Sequence, residues 1–180
     1  MKRIFLVLVA VLAIGSVSAQ AVWGLRAGVS RPTVTVSGDG ASASLDGKFG
    51  LEVGPVVYYS LKNNFYVNSG LLFSMKSFDF GDESLDMYYL NVPLYLGYSI
   101  PLGDLSTYAQ VGPYIGFKVS ESEESGLNSF DAGIGAMYGI NINRFKIEVG
   151  YQYGLTNALK DAEDIKANLG SLFLGVSYVF

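Results

Sequence analysis

The sequence contains no cysteine and no histidine among its 180 residues. Without cysteine, the chain has neither a disulfide framework nor thiol chemistry. Without histidine, it can form neither a Ser-His-Asp arrangement nor a histidine metal site. We therefore expect no catalytic residues, no metal ligands and no cofactor-binding residues. A mechanism that relies on carboxylates or lysine alone is the alternative that the composition leaves open.

Long apolar runs are also lacking, apart from one at the amino terminus. Lys2 and Arg3 precede an apolar run from Ile4 to Ile14, and small residues follow it. This order is typical of a secretory signal peptide, so we predict a signal peptide over residues 1–19 and one domain over residues 20–180. A membrane anchor is the alternative, but an α-helix needs roughly 20 residues to cross a bilayer. Membrane insertion of the mature chain would therefore have to use strands.

Positive charge is scarce in the predicted mature chain. Removing residues 1–19 takes away two of the 12 Lys and Arg and none of the 16 Asp and Glu, which leaves a formal charge of −6. An acidic chain repels a phosphate backbone. We therefore expect no nucleic-acid partner.

Apolar residues alternate with small or polar ones along most of the remaining chain. A period of two indicates β-strands. Eight such segments occur, and each has at least the roughly 9 to 11 residues with which a tilted strand crosses a bilayer. Their approximate bounds are 22–30 with an open extension to 36, 48–61, 65–78, 87–100, 105–120, 130–140, 145–154 and 169–180.

The connections between these segments alternate in length. The long ones are 37–47, 79–86, 121–128 and 156–168, and the short ones are 62–64, 101–104 and 141–143. Short periplasmic turns and long outer loops are typical of bacterial outer-membrane barrels. We therefore predict an all-β fold, an eight-stranded antiparallel up-and-down transmembrane β-barrel in the cell outer membrane, surrounded by outer-membrane lipid. We expect the loop at 37–47 to be mobile, and 158–166 is compatible with a helical turn.

The charged residues of the strands share the phase of the glycines. A lysine or arginine that faces lipid costs roughly 2–4 kcal/mol at mid-membrane, so this phase is predicted to face the lumen. The residues concerned are Arg26, Glu52, Lys76, Lys118, Asp131, Lys146 and Glu148.

Aligning the ends of the predicted hairpins suggests how these charges pair. It sets Arg26 opposite Glu52 and Lys118 opposite Asp131, while Lys146 and Glu148 lie two positions apart on one inward face. Because an eight-stranded barrel is just wide enough for side chains to fill, we expect these ion pairs to plug it. Outward aromatic residues near both strand ends predict two interfacial girdles.

Three prolines lie inside predicted strands. Pro55, Pro93 and Pro113 cannot donate a backbone hydrogen bond. We expect a bulge or a missing ladder bond at each of them.

The last segment alternates to the very end of the chain. Leu174, Val176, Tyr178 and Phe180 share one face, and no polar tail follows Phe180. This ending resembles the C-terminal signal of outer-membrane barrels that the barrel assembly machinery reads. The resemblance implies that Tyr178 and Phe180 act as an assembly signal and that this machinery is a partner.

Several internal fragments resemble one family. The fragments at 89–94, 112–114, 151–157 and 175–180 are similar to the PorT-like outer-membrane β-barrel family of Gram-negative bacteria. The resemblance implies the fold and the location, and it carries over no functional residue. Most members are barrels without an assigned activity, while PorT itself belongs to a protein secretion system.

Two further patterns invite a ligand-binding interpretation. Gly133, Gly135 and Gly139 share one strand face with no helix after them, so a narrow lumen explains them better than a dinucleotide site. The acidic clusters at 121–124 and 161–164 could hold calcium or bridge lipopolysaccharide through divalent ions, but they lack the spacing of a calcium hand. A solvated loop is the simpler interpretation.

The leading functional hypothesis is a non-enzymatic outer-membrane barrel with a plugged lumen, which is structural or binds a partner through its loops. A small channel or transport protein for a minor solute is the alternative. A soluble lipocalin-like barrel is a third hypothesis, and it would need a charged exterior around an apolar cavity.

Overall fold

The computed structural model describes residues 21–38, 41–80, 83–119, 128–157 and 166–180. The predicted signal peptide lies outside these residues. So do most of the acidic segment at 121–128, the acidic cluster at 161–164 and the predicted helical turn that begins at 158. Among the residues described, no helix is long and apolar enough to span a membrane.

Ten strands are found in this part of the chain. They are β1 Ala21–Gly38, β2 Ala41–Asp46, β3 Gly50–Ser60, β4 Phe65–Gly70, β5 Leu72–Phe80, β6 Glu83–Leu102, β7 Leu105–Lys118, β8 Phe130–Ile142, β9 Phe145–Gly154 and β10 Lys166–Val179. All the pairings are antiparallel, and β1 pairs with both β3 and β10, which closes the sheet into a ring. β2 and β3 together occupy one position of the ring, and so do β4 and β5. The ten strands therefore form an eight-stranded barrel. The predicted fold is confirmed.

A proline divides the third position of the ring into β4 and β5. The Leu71 N–H donates to the Pro55 carbonyl at 3.0 Å. Pro55 has no N–H, so the second hydrogen bond of this pair cannot form. The register of β3 is the same against both strands. The interruption is therefore a missing ladder bond and not a bulge. Similar gaps occur beside Pro93 and Pro113, again with the register unchanged.

A bulge that the sequence pattern did not predict lies between β2 and β3. Ser30 pairs with Gly50 and Thr33 pairs with Asp46, so two residues of β1 lie opposite the three residues that connect β2 to β3. Pro32 lies on the short side of the bulge, and its carbonyl accepts a hydrogen bond from Gly47 N–H at 2.7 Å. Such an extra residue bends the strand and reverses which face its side chains occupy.

Two predicted loops are largely strand. β1 and β2 pair as far as Gly38 and Ala41, and β5 and β6 pair as far as Phe80 and Glu83. The expectation of loops over 37–47 and 79–86 was wrong, whereas the expected mobility of 37–47 stays a prediction. Backbone pairing satisfies N–H and C=O groups whatever the side chains are, so a hairpin can project beyond the bilayer without apolar alternation.

Tight turns at the opposite edge of the barrel confirm the short connections. Asn63 and Asn64 have φ of 59° and 65°, Gly103 has φ of 70°, and Asn143 has φ of 53°. Asparagine and glycine tolerate this left-handed region at low cost, and such residues are favoured in two-residue hairpin turns. We call this end of the barrel the turn edge and the opposite end the loop edge.

The outer surface of the barrel is apolar. Large hydrophobic side chains at mid-strand, such as Leu94, Val111 and Ile134, are more than half exposed. A continuous apolar belt of this kind faces lipid. Aromatic pairs flank it: Phe65–Tyr98 and Phe145–Tyr178 at the turn edge, and Phe73–Tyr88 and Phe117–Phe130 towards the loop edge.

Candidate functional site

The contacts between the described inward side chains group them into three layers. The turn-edge layer consists of Tyr58, Tyr66, Tyr108 and Lys146. The central layer consists of Arg26, Glu52, Gln110, Met137, Glu148 and Phe173. The loop-edge layer consists of Lys76, Tyr89, Tyr114 and Asp131. All but Lys146 are buried.

Arg26 is the centre of the central layer and has no exposed surface. Its Nη2 lies 2.9 Å from Glu148 Oε1, and its Nε lies 3.5 Å from Glu52 Oε1. One guanidinium therefore links carboxylates on two strands that are not neighbours. Because removing the partner of a buried charge is strongly destabilising, these two ion pairs make the burial of Arg26 tolerable.

Neighbouring groups hold the carboxylate of Glu148 in place. Its Oε2 accepts hydrogen bonds from the Tyr108 hydroxyl at 2.9 Å and from Gln110 Nε2 at 3.2 Å. On the other side, the Arg26 guanidinium lies 4.2 Å from the centre of the Phe173 ring. The central layer thus spans the lumen from β1 to β9 and β10.

The predicted alignment of Arg26 with Glu52 was wrong by two residues. Arg26 is opposite Gly54, and Glu52 is opposite Gly28. The two side chains still meet, because they lie on the same inward face and both are long. Aligning predicted strand ends failed here because β3 begins after the bulge, which the sequence pattern did not reveal.

The loop-edge layer corrects the second predicted pair. Asp131 is opposite Gly116 and not opposite Lys118, whose backbone N–H donates to Ser129. The ion pair of Asp131 is instead with Lys76, whose Nζ lies 3.9 Å from Oδ2. Aligning the ends of predicted hairpins compares only neighbouring strands, so it could not reveal a contact made across the lumen.

Hydroxyl groups complete the surroundings of Asp131. Tyr114 donates to its Oδ2 at 3.2 Å, and Thr156 donates to its Oδ1 at 3.0 Å. Lys76 Nζ also lies 5.1 Å from the centre of the Tyr89 ring. The sequence analysis did not name these tyrosines as lumen residues. Their positions on the inward face of each strand would have predicted it.

Lys146 in the turn-edge layer is surrounded by aromatic rings. Its Nζ lies 4.2 Å from the ring centre of Tyr108, 4.6 Å from that of Tyr58 and 5.2 Å from that of Tyr66. A cation over ring faces is held by the negative face of each ring. Lys146 and Glu148 share the inward face, as predicted, but the direct contacts of Lys146 given by the structure are with tyrosines.

Glycines make room for the rings inside the barrel. A Cβ at Gly135 would lie 2.6 Å from the Tyr95 hydroxyl, and a Cβ at Gly97 would collide with the Tyr66 ring. A Cβ at Gly139 would lie 2.7 Å from Tyr108. Gly135 and Gly139 therefore serve packing, in agreement with the narrow-lumen interpretation.

The predicted assembly signal lies at the seam where the ring closes. The Phe180 N–H donates to the Trp23 carbonyl at 2.9 Å, and the Phe180 ring lies 5.6 Å from that of Tyr178. Tyr178 in turn contacts Phe145 at 5.2 Å. Phe180 is 70 % exposed, on the lipid side. Its role in assembly stays a prediction.

No group of three or more acidic, cysteine or histidine residues that could hold a metal occurs in the described segments. The predicted clusters at 121–124 and 161–164 lie outside those segments.

A closed ring of eight strands with an apolar exterior and a charged interior defines an integral outer-membrane β-barrel. The sequence model of the family described as "Outer membrane protein beta-barrel domain" matches residues 18–160. The chain belongs to this family, and its location is the outer membrane.

Three solved structures are similar to this chain. Neisserial surface protein A is similar with a TM-score of 0.52 at 15 % identity, over 88 % of this chain and 97 % of that one. The attachment invasion locus protein Ail of Yersinia pestis, solved with the heparin analogue sucrose octasulfate, gives 0.46 at 18 % identity, over 89 % and 99 %. The outer membrane enzyme PagL gives 0.49 at 13 % identity, over 82 % and 97 %. Among curated proteins there is no match. At these identities the likeness concerns the fold alone.

Proposed function

We propose that the protein is a non-enzymatic outer-membrane barrel whose lumen is closed to solutes and whose outward hairpins contact a partner. The observation that carries the first part is the complete burial of Arg26 between Glu52 and Glu148. A water-filled channel would solvate these charges. Here they are desolvated, and they form ion pairs with one another.

The balance of charge supports a closed lumen. Three cations in the layers, Arg26, Lys76 and Lys146, accompany three anions, Glu52, Asp131 and Glu148. Their mutual attraction in a poorly solvated interior holds the side chains across the bore. A selective channel for ions would instead present a ring of one sign of charge to its solute.

The lumen proposal is tested by single-channel conductance in planar bilayers. We expect no steady large conductance from the unmodified protein, because the three layers leave no continuous aqueous path. The Glu52→Ala variant, which removes one anion from the central layer, is measured alongside it. Steady large conductance from the unmodified protein would contradict the closed lumen and favour a small channel or transport protein.

Partner binding is proposed for the hairpins at the loop edge. β1 and β2 form a hairpin in which Arg31 and Asp46 pair at 3.0 Å and are well exposed. Segments that project from a rigid scaffold can vary without disturbing closure of the barrel, so they suit recognition of an envelope protein.

Crosslinking in intact cells, followed by identification of the captured proteins, tests this second proposal. Replacing residues 36–43 with a two-residue turn should leave folding intact and remove crosslinks to the partner. The same shortening at residues 79–84 serves as the matched variant of the second hairpin. If both shortened proteins retain every crosslink, the presentation of a partner by these hairpins is wrong.

The non-enzymatic assignment is supported by a sequence without histidine or cysteine. Within the larger outer-membrane family, we infer membership of the PorT-like group from the strand fragments described above. The inference extends to fold and location, and it assigns no role in secretion. Recognition of Tyr178 and Phe180 by the barrel assembly machinery is part of the same proposal.

A further inference from the structure

The turn edge of the lumen opens into a polar cavity that the closed-lumen function does not use. Its volume is about 410 Å³, within the range of small-molecule sites. Lys146 and the rings of Tyr58 and Tyr66 form its inner end, and Asn63 and Asn64 of the tight turn lie at its rim. Since short turns of outer-membrane barrels are periplasmic, the cavity opens towards the periplasm.

Lys146 is the only charged residue among those described that line this cavity. Ser60, Ser99 and Asn141 contribute neutral polar groups, and no carboxylate of the described segments forms an ion pair with Lys146. An ammonium group carries three hydrogen-bond donors, and ring faces attract it without accepting conventional hydrogen bonds. The cavity therefore presents a cation with unused donor capacity.

The three tyrosines are fixed with their faces towards Lys146. The hydroxyl of Tyr108 donates to Glu148 at 2.9 Å, that of Tyr66 to Gln110 at 3.2 Å, and that of Tyr58 to Ser177 at 3.4 Å. Because each hydroxyl is bound deeper in the barrel, the rings cannot swing away from Lys146 without breaking these bonds. The ammonium group is thus pre-positioned, which lowers the cost of binding a ligand.

We propose that this cavity binds the carboxylate of a small organic anion from the periplasm, with Lys146 as its counter-ion. Leu61 and the ring of Tyr66 line the same cavity and suit the organic part of the ligand. These apolar walls favour an organic carboxylate over inorganic phosphate.

The probe is 4-fluorobenzoate, followed by fluorine NMR during titration of the folded protein in detergent micelles. The unmodified protein should bind it saturably. Lys146→Met keeps the aliphatic stem beneath the rings but removes the charge, and binding should weaken roughly tenfold or more, as expected for loss of a charged hydrogen bond. Lys62→Gln removes an exposed cation from the same turn and should bind as the unmodified protein does.

A second variant keeps the test decisive if Lys146→Met does not fold. Ser60→Asp places a carboxylate at an exposed position of the cavity wall, where it should compete with the probe and weaken its binding by a similar factor. Equal binding by the unmodified protein and Ser60→Asp would overturn the proposal. So would displacement of the probe by an equal concentration of inorganic phosphate, because it would assign the site to another class of anion.

Discussion

Several residues in the lumen have ionisable side chains that are buried. Arg26 illustrates how this is tolerated, because two carboxylates, a thioether and an aromatic ring surround its guanidinium. Replacing a whole buried ion cluster with apolar residues need not destabilise a protein, whereas removing one partner leaves the other charge buried and unpaired. The ion pairs therefore fix one arrangement of the interior more than they add stability.

We predict that Glu148→Ala lowers the free energy of unfolding by about 3–5 kcal/mol, because it leaves Arg26 with only the longer contact to Glu52. Glu52→Ala should cost less, since the 2.9 Å contact to Glu148 remains. Urea unfolding in micelles, followed by fluorescence of the single tryptophan Trp23, measures both. Asp104→Ala in an exposed turn is the control, and an effect of Glu148→Ala no larger than that of the control would contradict the role given to this ion cluster.

At the scale of single elements, alternation predicted which face of each strand points inward but not how strands align. Both register errors, at Arg26 and at Asp131, amount to two residues. A shift of two keeps every side chain on its face, so the apolar pattern does not oppose it, whereas a shift of one would turn charges towards lipid. The bulge before β3 depends on backbone geometry, and the Lys76–Asp131 contact depends on distant strands. Local alternation of residues predicts neither.

The final strand, β10, pairs with both β9 and β1. Phe180, the residue that follows it, adds a further backbone hydrogen bond to β1. Deleting Phe180 removes a backbone hydrogen bond to Trp23 and a ring contact with Tyr178. We therefore expect a smaller heat-modifiable fraction in the outer membrane, measured by gel mobility with and without boiling. The predicted signal peptide should still be cleaved, since export precedes assembly. Asp104→Ala in the exposed β6–β7 turn is the control, and equal assembly of all three proteins would refute an assembly role for Phe180.

At the scale of the whole molecule, the barrel reverses the arrangement of a soluble protein, with apolar side chains outside and ions inside. The sequence predicted this inversion because all the inward charges share the phase of the glycines. The layering of the interior was not predictable to the same extent. Tyr58, Tyr66 and Tyr108 come from three strands, and only the closed ring brings them together around Lys146.

Thiol accessibility shows whether the lumen is filled and closed. Since the chain has no cysteine, single cysteines can be introduced without background. Ser171 and Ser177 point into the lumen and are buried, whereas Ser60 and Ser129 are exposed at opposite edges. Each is replaced by cysteine in the folded protein in lipid vesicles, and the rate of labelling by a charged maleimide is measured with reagent on both sides. We predict fast labelling at 60 and 129 and essentially none at 171 and 177. Labelling of 171 and 177 as fast as at the edges would show a water-filled bore and contradict the account.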